Sequence, residues 1–311
     1  MAAKSSTRRK AASPAWVVLK FGGTSVSSVE RWETIAALVR QRLAEGLRPV
    51  VVHSALATVS NKLDELLHRA LEMDVTAQVA GIRELHLRLA AGLQVDGEKE
   101  LGGYFRELEQ LLAGIHLIRE VSPRIQARVM GLGELMATRL GAAYLARVGL
   151  KVTWLDAREL LRSNMPPGTN ERSAWLAANC DFDPDAELQA RFAAEAGVVL
   201  TQGFIASNAR GDGVLLGRGG SDTSGAYFAA KLQAAVLEIW TDVPGMFTAN
   251  PKVVPGARLL RLLSYEEAQE IASTGGSVLH PRCIRPCKRH DIPLKVLCTS
   301  QPELPGTLVT A

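Results

Sequence analysis

Two glycine-rich stretches that carry charged residues stand out among the positions able to do chemistry. Lys20 closes the apolar run Trp16-Val17-Val18-Leu19 and is followed by Phe21-Gly22-Gly23-Thr24-Ser25. Glycine lets backbone amides approach a ligand closely, and Thr24 or Ser25 could cap a helix beginning at Val29. Exposed amides, a helix N-terminus and a lysine together describe a phosphate site, although Lys-x-Gly-Gly taken alone equally describes an ordinary turn. The second stretch, Gly217-Arg218-Gly219-Gly220-Ser221-Asp222, opens another helix. Arg218 can pair bidentately with a carboxylate or phosphate. Asp222 could simply cap the helix, but capping leaves the arginine among three glycines unexplained.

Three further places carry polar chemistry. Glu134 sits among Gly131, Gly133, Leu132, Leu135 and Met136, unusual company for a carboxylate, although single glutamates commonly belong to a solvated helix face. Thr241-Asp242 ends a strand just before Pro244-Gly245, at the end of a sheet where open α/β folds bind ligands. Asn250-Pro251-Lys252 adds a basic group nearby. His280, Cys283, Cys287 and His290 superficially resemble a zinc cluster, but their spacing fits no zinc pattern well and Pro281 and Pro286 interrupt the segment.

The elements that must position these residues follow from periodicity. Buried strands are predicted at Val17–Leu19 and within 47–54, joined by a helix from Val29 to Leu43, which makes a parallel βαβ unit. Leucines at helical spacing from Leu63 to Ile115 predict a helical insertion punctuated by Gly97 and Gly102-Gly103, and a further helix runs from Pro123 to Leu145. Strands follow at 151–156, 198–206, 213–216, 235–240, 294–299 and 307–309, with helices at 223–232 and 265–273 and a loop or ribbon over 164–179. Such alternation specifies a layered α/β fold.

Composition excludes several classes. With 311 residues, 47% of them hydrophobic, the chain can bury one large core. Its 36 basic and 32 acidic residues are interspersed, giving a net charge of +4 that calls for neither a nucleic-acid groove nor a membrane-facing surface. No run is apolar enough to span a bilayer and no secretory signal is evident, so a cytoplasmic location is expected. The basic, acid-free segment 1–14 is expected to be a disordered tail. The 4 cysteines are too few for a disulfide framework.

Taken together, Lys20-Phe21-Gly22-Gly23-Thr24-Ser25, Thr201-Gln202-Gly203-Phe204-Ile205, Leu216 to Asp222, Trp240 to Gly245 and Val278-Leu279-His280-Pro281 occur in the order and approximate spacing found in aspartate kinases. From Val17 to Val309 the sequence resembles the catalytic domain of that family, within the amino acid kinase superfamily. The resemblance implies a three-layer α-β-α sandwich with a mainly parallel central sheet, an amino-acid-binding lobe over 15–199 and a nucleotide-binding lobe over 200–311. It implies ATP with Mg2+, and L-aspartate phosphorylated to 4-phospho-L-aspartate, the first step toward lysine, threonine and methionine. In that reading Lys20 neutralises the transferring phosphoryl group, the Gly22 and Gly23 amides cradle its oxygens, and Asp222 orients Lys20. Arg218 grips the substrate α-carboxylate, Glu134 its ammonium, and Ser54, Ser60 and Ser221 supply hydroxyls. Thr241, Asp242, Phe247 and Lys252 line the nucleotide pocket. No resident metal site is implied.

Two departures qualify the resemblance. The family usually carries a lysine before Val-Leu-His-Pro, where this chain has Ser277, so one cation at the nucleotide phosphates is expected to be missing. The ACT regulatory domains common after this point are also not seen before Ala311. The expectation is an enzyme without that feedback, or part of a longer, bifunctional polypeptide, and a homodimer is left open. A catalytically weak nucleotide-binding module is the competing reading.

Overall fold

The computed structural model describes residues 15–251, 253–274 and 278–311. In chain order the elements are β1 (Trp16–Phe21), α1 (Val29–Ala44), β2 (Arg48–His53), α2 (Val59–Ala70), α3 (Thr76–Gly92), α4 (Gly97–Ile118), α5 (Pro123–Arg147), β3 (Val152–Trp154), α6 (Ala157–Leu160), β4 (Ser163–Asn164), α7 (Glu171–Leu176), β5 (Asn179–Cys180), α8 (Ala186–Ala194), β6 (Val198–Gln202), β7 (Ile205–Ser207), β8 (Gly213–Leu215), α9 (Gly220–Leu232), β9 (Val236–Thr241), β10 (Leu262–Ser264), α10 (Tyr265–Ser273), α11 (Pro281–Arg289), β11 (Leu294–Cys298) and β12 (Thr307–Thr310).

Eight strands form one sheet in the order β10-β12-β11-β9-β1-β2-β6-β3, and every pairing except the antiparallel β11–β12 is parallel. The central strands β1, β2 and β6 are apolar without alternation because both sheet faces are covered. Side-chain alternation shows what covers each face. The Lys20 stem on β1 packs against Gly225 of α9. On the opposite face, the next row carries His53, paired in register with Phe21, and its ring meets Trp32 of α1 edge-on at 5.3 Å. Trp32 in turn packs on Tyr144 of α5. This is a three-layer α-β-α sandwich with a mostly parallel sheet. One continuous apolar core fills it, extending through α2, α3 and α4 as a helical insertion that packs on α5.

Several local expectations are corrected. The α1 cap is Ser28, whose side chain accepts from the Arg31 amide, while Thr24 and Ser25 lie in a 3-10 turn over Gly23–Val26. Gly102 and Gly103 stay inside α4, held there by its buried stripe of Leu101, Phe105, Leu108, Leu112 and Ile115. The stretch 198–206 is two strands rather than one: Phe204 has φ 69° and turns the chain out of the main sheet into a β7–β8 hairpin. The 164–179 ribbon is real in the β4–β5 pairing but encloses the short helix α7. Pro281 and Pro286 do not break their segment, because Pro281 starts α11, where its missing N–H is not needed, and Pro286 lies within that helix. Cys283 and Cys287 are wholly buried in α11, and burial pushes the Cys287 thiol up to about 12.

Candidate active site

The parallel strands β1, β2, β6 and β9 bring their carboxyl ends to one edge, and backbone hydrogen bonds lock those ends together. The Gly22 N–H donates to the Trp240 carbonyl (3.3 Å), Ser54 N–H to Phe21 (3.2 Å) and Gly203 N–H to His53 (2.9 Å). The ends of β1, β2, β6 and β9 are thus held side by side. A cleft of about 800 Å³ opens there, and Lys20, Gly23, Ser54, Ser60, Glu134, Arg218, Ser221 and Asp222 all line it.

At its base, Lys20 Nζ lies 2.5 Å from Asp222 Oδ1, with the two side chains only 9% and 16% exposed. A lysine this buried requires an opposite charge, and Asp222 supplies it from the first turn of α9. That helix has Gly219 at its N-cap, with φ 66°, and receives no side-chain cap. Asp222 therefore contributes to the ion pair rather than to capping. A Cβ on Gly219 would lie 2.2 Å from Cγ of His280, so the glycine is required both by its left-handed backbone and by the approach of α11. Gly225 lets α9 approach the Lys20 stem, where a Cβ would sit 3.2 Å from the lysine Cβ.

Glu134 reaches the cleft from the buried middle of α5. Its Oε1 accepts the Ala55 N–H at 3.2 Å, while Oε2 is buried without a hydrogen-bond partner. Burial pushes its carboxyl up to about 8. Behind it, Thr138 Oγ1 donates to the Glu134 carbonyl (2.8 Å) and accepts from Gln202 Nε2 and Trp154 Nε1, both at 3.0 Å. This network pins α5 to β6 and β3 and fixes where the carboxyl emerges. A buried carboxyl with one orphaned oxygen suits a cationic hydrogen-bond donor brought in by a ligand.

The sequence-predicted residues are distributed as follows. Lys20, Asp222, Ser54, Ser60, Glu134, Arg218 and Ser221 share the cleft, as does Gly23. The Gly22 amide is already bonded to Trp240, because the parallel β1–β9 ladder continues through it, so only Gly23 of the two glycines lines the cleft. Phe247 lines a separate pocket of about 490 Å³ with Met246, Asn250, Ile271 and Leu279. Thr241 ends β9 and Asp242 follows it, with the Thr241 hydroxyl donating to Asp242 (3.1 Å), and neither lines that pocket. Lys252 and Ser277 lie outside the described residues. Among the described residues no three His, Cys, Asp or Glu side chains come together as a metal site, and no helix is long and apolar enough to cross a membrane.

Sequence reasoning missed Arg172, Asn61, Asp64 and Gln126, which also line the cleft. It also missed Arg282. The Arg282 guanidinium donates to the Ala178 carbonyl (2.8 Å), Asn179 Oδ1 (2.8 Å) and the Leu216 carbonyl, clamping the α7–β5 segment onto the strand that leads into Arg218. No periodicity marks a residue that acts through backbone carbonyls distant in sequence.

A mostly parallel sheet between helical layers, with glycine-rich turns, a lysine–aspartate pair and a buried glutamate at the carboxyl ends of its strands, defines the class of layered α/β proteins that bind ligands at that edge. The chain belongs to the amino acid kinase family, whose model matches residues 15–298. It is 35% identical to aspartokinase 2, chloroplastic, of Arabidopsis thaliana over 94% of this chain and 54% of that protein. It is 34% identical to the bifunctional aspartokinase/homoserine dehydrogenase 1, chloroplastic, of the same plant, over 94% of this chain and 32% of that one. The structure superposes on E. coli aspartokinase III in complex with aspartate and ADP with a TM-score of 0.83 and 33% identity, covering 94% of this chain and 64% of that chain. The chain thus spans less than two thirds of each of these relatives.

Proposed function

We propose that the chain is the catalytic unit of an aspartate kinase, transferring the γ-phosphoryl group of ATP to the side-chain carboxylate of L-aspartate and releasing ADP and 4-phospho-L-aspartate. The observation that carries this reading is the single cleft holding the Lys20–Asp222 pair, Arg218 and the half-satisfied Glu134. Those groups match the parts of the substrate. Arg218 faces the α-carboxylate, Glu134 the ammonium, and Lys20 the reacting carboxylate and phosphoryl oxygens, with Ser54, Ser60 and Ser221 as hydroxyl contacts. The similarity to an aspartokinase that binds aspartate and ADP supports the same pair of ligands here.

No protein nucleophile is required, since the acceptor carboxylate is ionised near neutral pH. One of its oxygens attacks the γ-phosphorus as the bond to the ADP oxygen breaks, and the site's contribution is positioning and charge neutralisation. Lys20 is held close to the cleft floor by Gly225 and directed by Asp222, and Gly23 offers a backbone amide at the same place. In this reading residues 15–199 supply most of the acceptor side and 200–311 the nucleotide side, with Thr241, Asp242, Phe247 and Lys252 toward the nucleotide. The donor set fits a magnesium ion only as one carried in by the nucleotide: the cleft's carboxylates do not gather as a metal cluster among the described residues, Asp222 stands beside Lys20, and magnesium typically takes one or two carboxylates with substrate phosphates. When bound, it would neutralise phosphate charge.

The test is ADP release, with hydroxylamine trapping of the acyl phosphate, using L-aspartate against L-glutamate, N-acetylglutamate and UMP. Aspartate-dependent hydroxamate is expected, and Lys20→Ala or Asp222→Asn should lower kcat at least about a hundredfold. Absence of aspartate-dependent turnover would overturn the reading in favour of a nucleotide-binding module without this activity.

A further inference from the structure

The cleft contains a second arginine that this reading leaves without a task. Arg172 lines it together with Arg218, and neither guanidinium has an ion pair or hydrogen bond among the described residues. The acids on the same walls are engaged otherwise: Asp222 with Lys20, Asp64 with Gln126 Nε2 at 3.3 Å, and Glu134 held largely protonated at neutral pH by burial. Lys20 and Asp222 offset each other, and the neutral Gln126 amide leaves the charge of Asp64 in place, so against the two guanidinium groups the cleft carries one surplus positive charge.

Arg172 is also placed where helix stability argues against it. It lies in the first turn of α7, beside the positive end of the helix dipole. The cap of that helix is Asn170, so the arginine does no capping. Arg172 and Leu176, four residues apart on one helix face, both line the cleft. The far end of α7 touches the Arg218 loop directly: a Cβ on Gly217 would lie 3.2 Å from Cα of Ala177 and 3.3 Å from the Leu176 carbonyl. The Ala178 N–H donates to Leu215 at 2.8 Å, and Arg282 clamps both segments. At about 1.5 Å of rise per residue, Arg172 starts only a turn or so from the contact with Gly217, within reach of the space above Arg218.

We propose that Arg172 is a specificity-determining residue that joins Arg218 in reading the α-carboxylate of the acceptor, so that two guanidinium forks, carried on one clamped unit, select a free α-carboxylate. This rests on the aspartate kinase reading. An acceptor with one anionic group reserved for phosphoryl transfer and a second gripped by two arginines also matches the cleft's surplus charge.

The experiment compares kcat/KM for L-aspartate and for its α-amide, which keeps the ammonium and the reacting carboxylate, in the unaltered protein and in R172A, R172Q and R172K. Loss of a charge-assisted contact should cut kcat/KM for aspartate about tenfold to a hundredfold, chiefly through KM. The α-amide value and the KM for ATP should change less than about twofold, and R172K should recover part of the loss. An equal loss on both acceptors, as expected of a structural role, overturns the proposal, as does no loss on aspartate. If R172A fails to fold, R172Q and R172K carry the same comparison. Aspartate turnover by the unaltered protein with an unchanged aspartate-to-amide ratio in the variants overturns this inference alone; no aspartate turnover by the unaltered protein overturns the functional reading and this inference together.

Discussion

Glu134 is the residue whose chemistry depends most on its surroundings. Its carboxyl is buried, bonded through one oxygen to Ala55 and raised to about 8, so at pH 7 it is mostly protonated. An ammonium placed on the orphaned Oε2 would favour the ionised form and expel the proton. Calorimetric titration with aspartate at pH 7, in buffers of different ionisation enthalpy, should therefore show release of close to one proton per ligand bound. The release should shrink above pH 8 and vanish in Glu134→Gln. Proton-independent binding at pH 7 would show that the ammonium goes elsewhere. The carboxylate among glycines was visible in the sequence, but its exposure was not. Gly133 proved to be a packing residue, since a Cβ there would lie 3.1 Å from the Ala55 side chain, and this close approach is what buries the carboxyl.

At the scale of elements, the site is assembled by segments that sequence patterns describe poorly. The α7–β5 segment, the β7–β8 hairpin and α11 have few residues each, and they are held by tertiary hydrogen bonds rather than by their own periodicity. Arg282 joins three of these acceptors with one planar side chain. Arg282→Ala strands buried carbonyls and should cost on the order of 2 kcal/mol of stability. It should also raise KM for aspartate severalfold while leaving KM for ATP nearly unchanged, because the loosened segment carries Arg172 and abuts Arg218. Arg282→Lys should restore little, since an ammonium cannot span the acceptors that the guanidinium fork reaches. Thermal melts and steady-state kinetics on the two variants check both parts. Unchanged kinetics in Arg282→Ala would confine the clamp to a stabilising role.

For the whole molecule, three buried titratable groups should shape stability against pH. Burial lowers His53 and His86 to about 4 from 6.5. A base whose folded pKa is depressed contributes stability that is full above its unfolded value and is lost as pH falls, here from about 6.5 toward 4, amounting to roughly 3 kcal/mol for each residue. Glu134 acts on the other side. An acid raised to about 8 from 4.5 leaves the native state holding a proton that the unfolded chain has released, so stability declines as pH rises from 4.5 to 8. The ligand-free protein should be most stable near pH 6.5. Glu134→Gln should progressively gain on the unaltered protein toward pH 8, as read from chemical denaturation across pH. A difference independent of pH would show that the glutamate is not buried in solution.

The layered α/β class, the βαβ opening, the helical insertion and the glycine-flanked Lys20, Arg218 and Asp222 were legible in the sequence, because each is written in local periodicity or in adjacent residue types. The strand order was not: β1 lies between β2 and β9, and that adjacency of segments distant in the chain is what brings Asp222 onto Lys20. The turn at Phe204, the engagement of the Gly22 amide by Trp240, the orphaned oxygen of Glu134, and the placement of Arg172 and Arg282 were likewise decided only by tertiary packing. Sequence determines which groups a chain can present. Which of them are left with an unmet charge or hydrogen bond depends on the neighbours that folding supplies, and on those unmet demands the proposed chemistry rests.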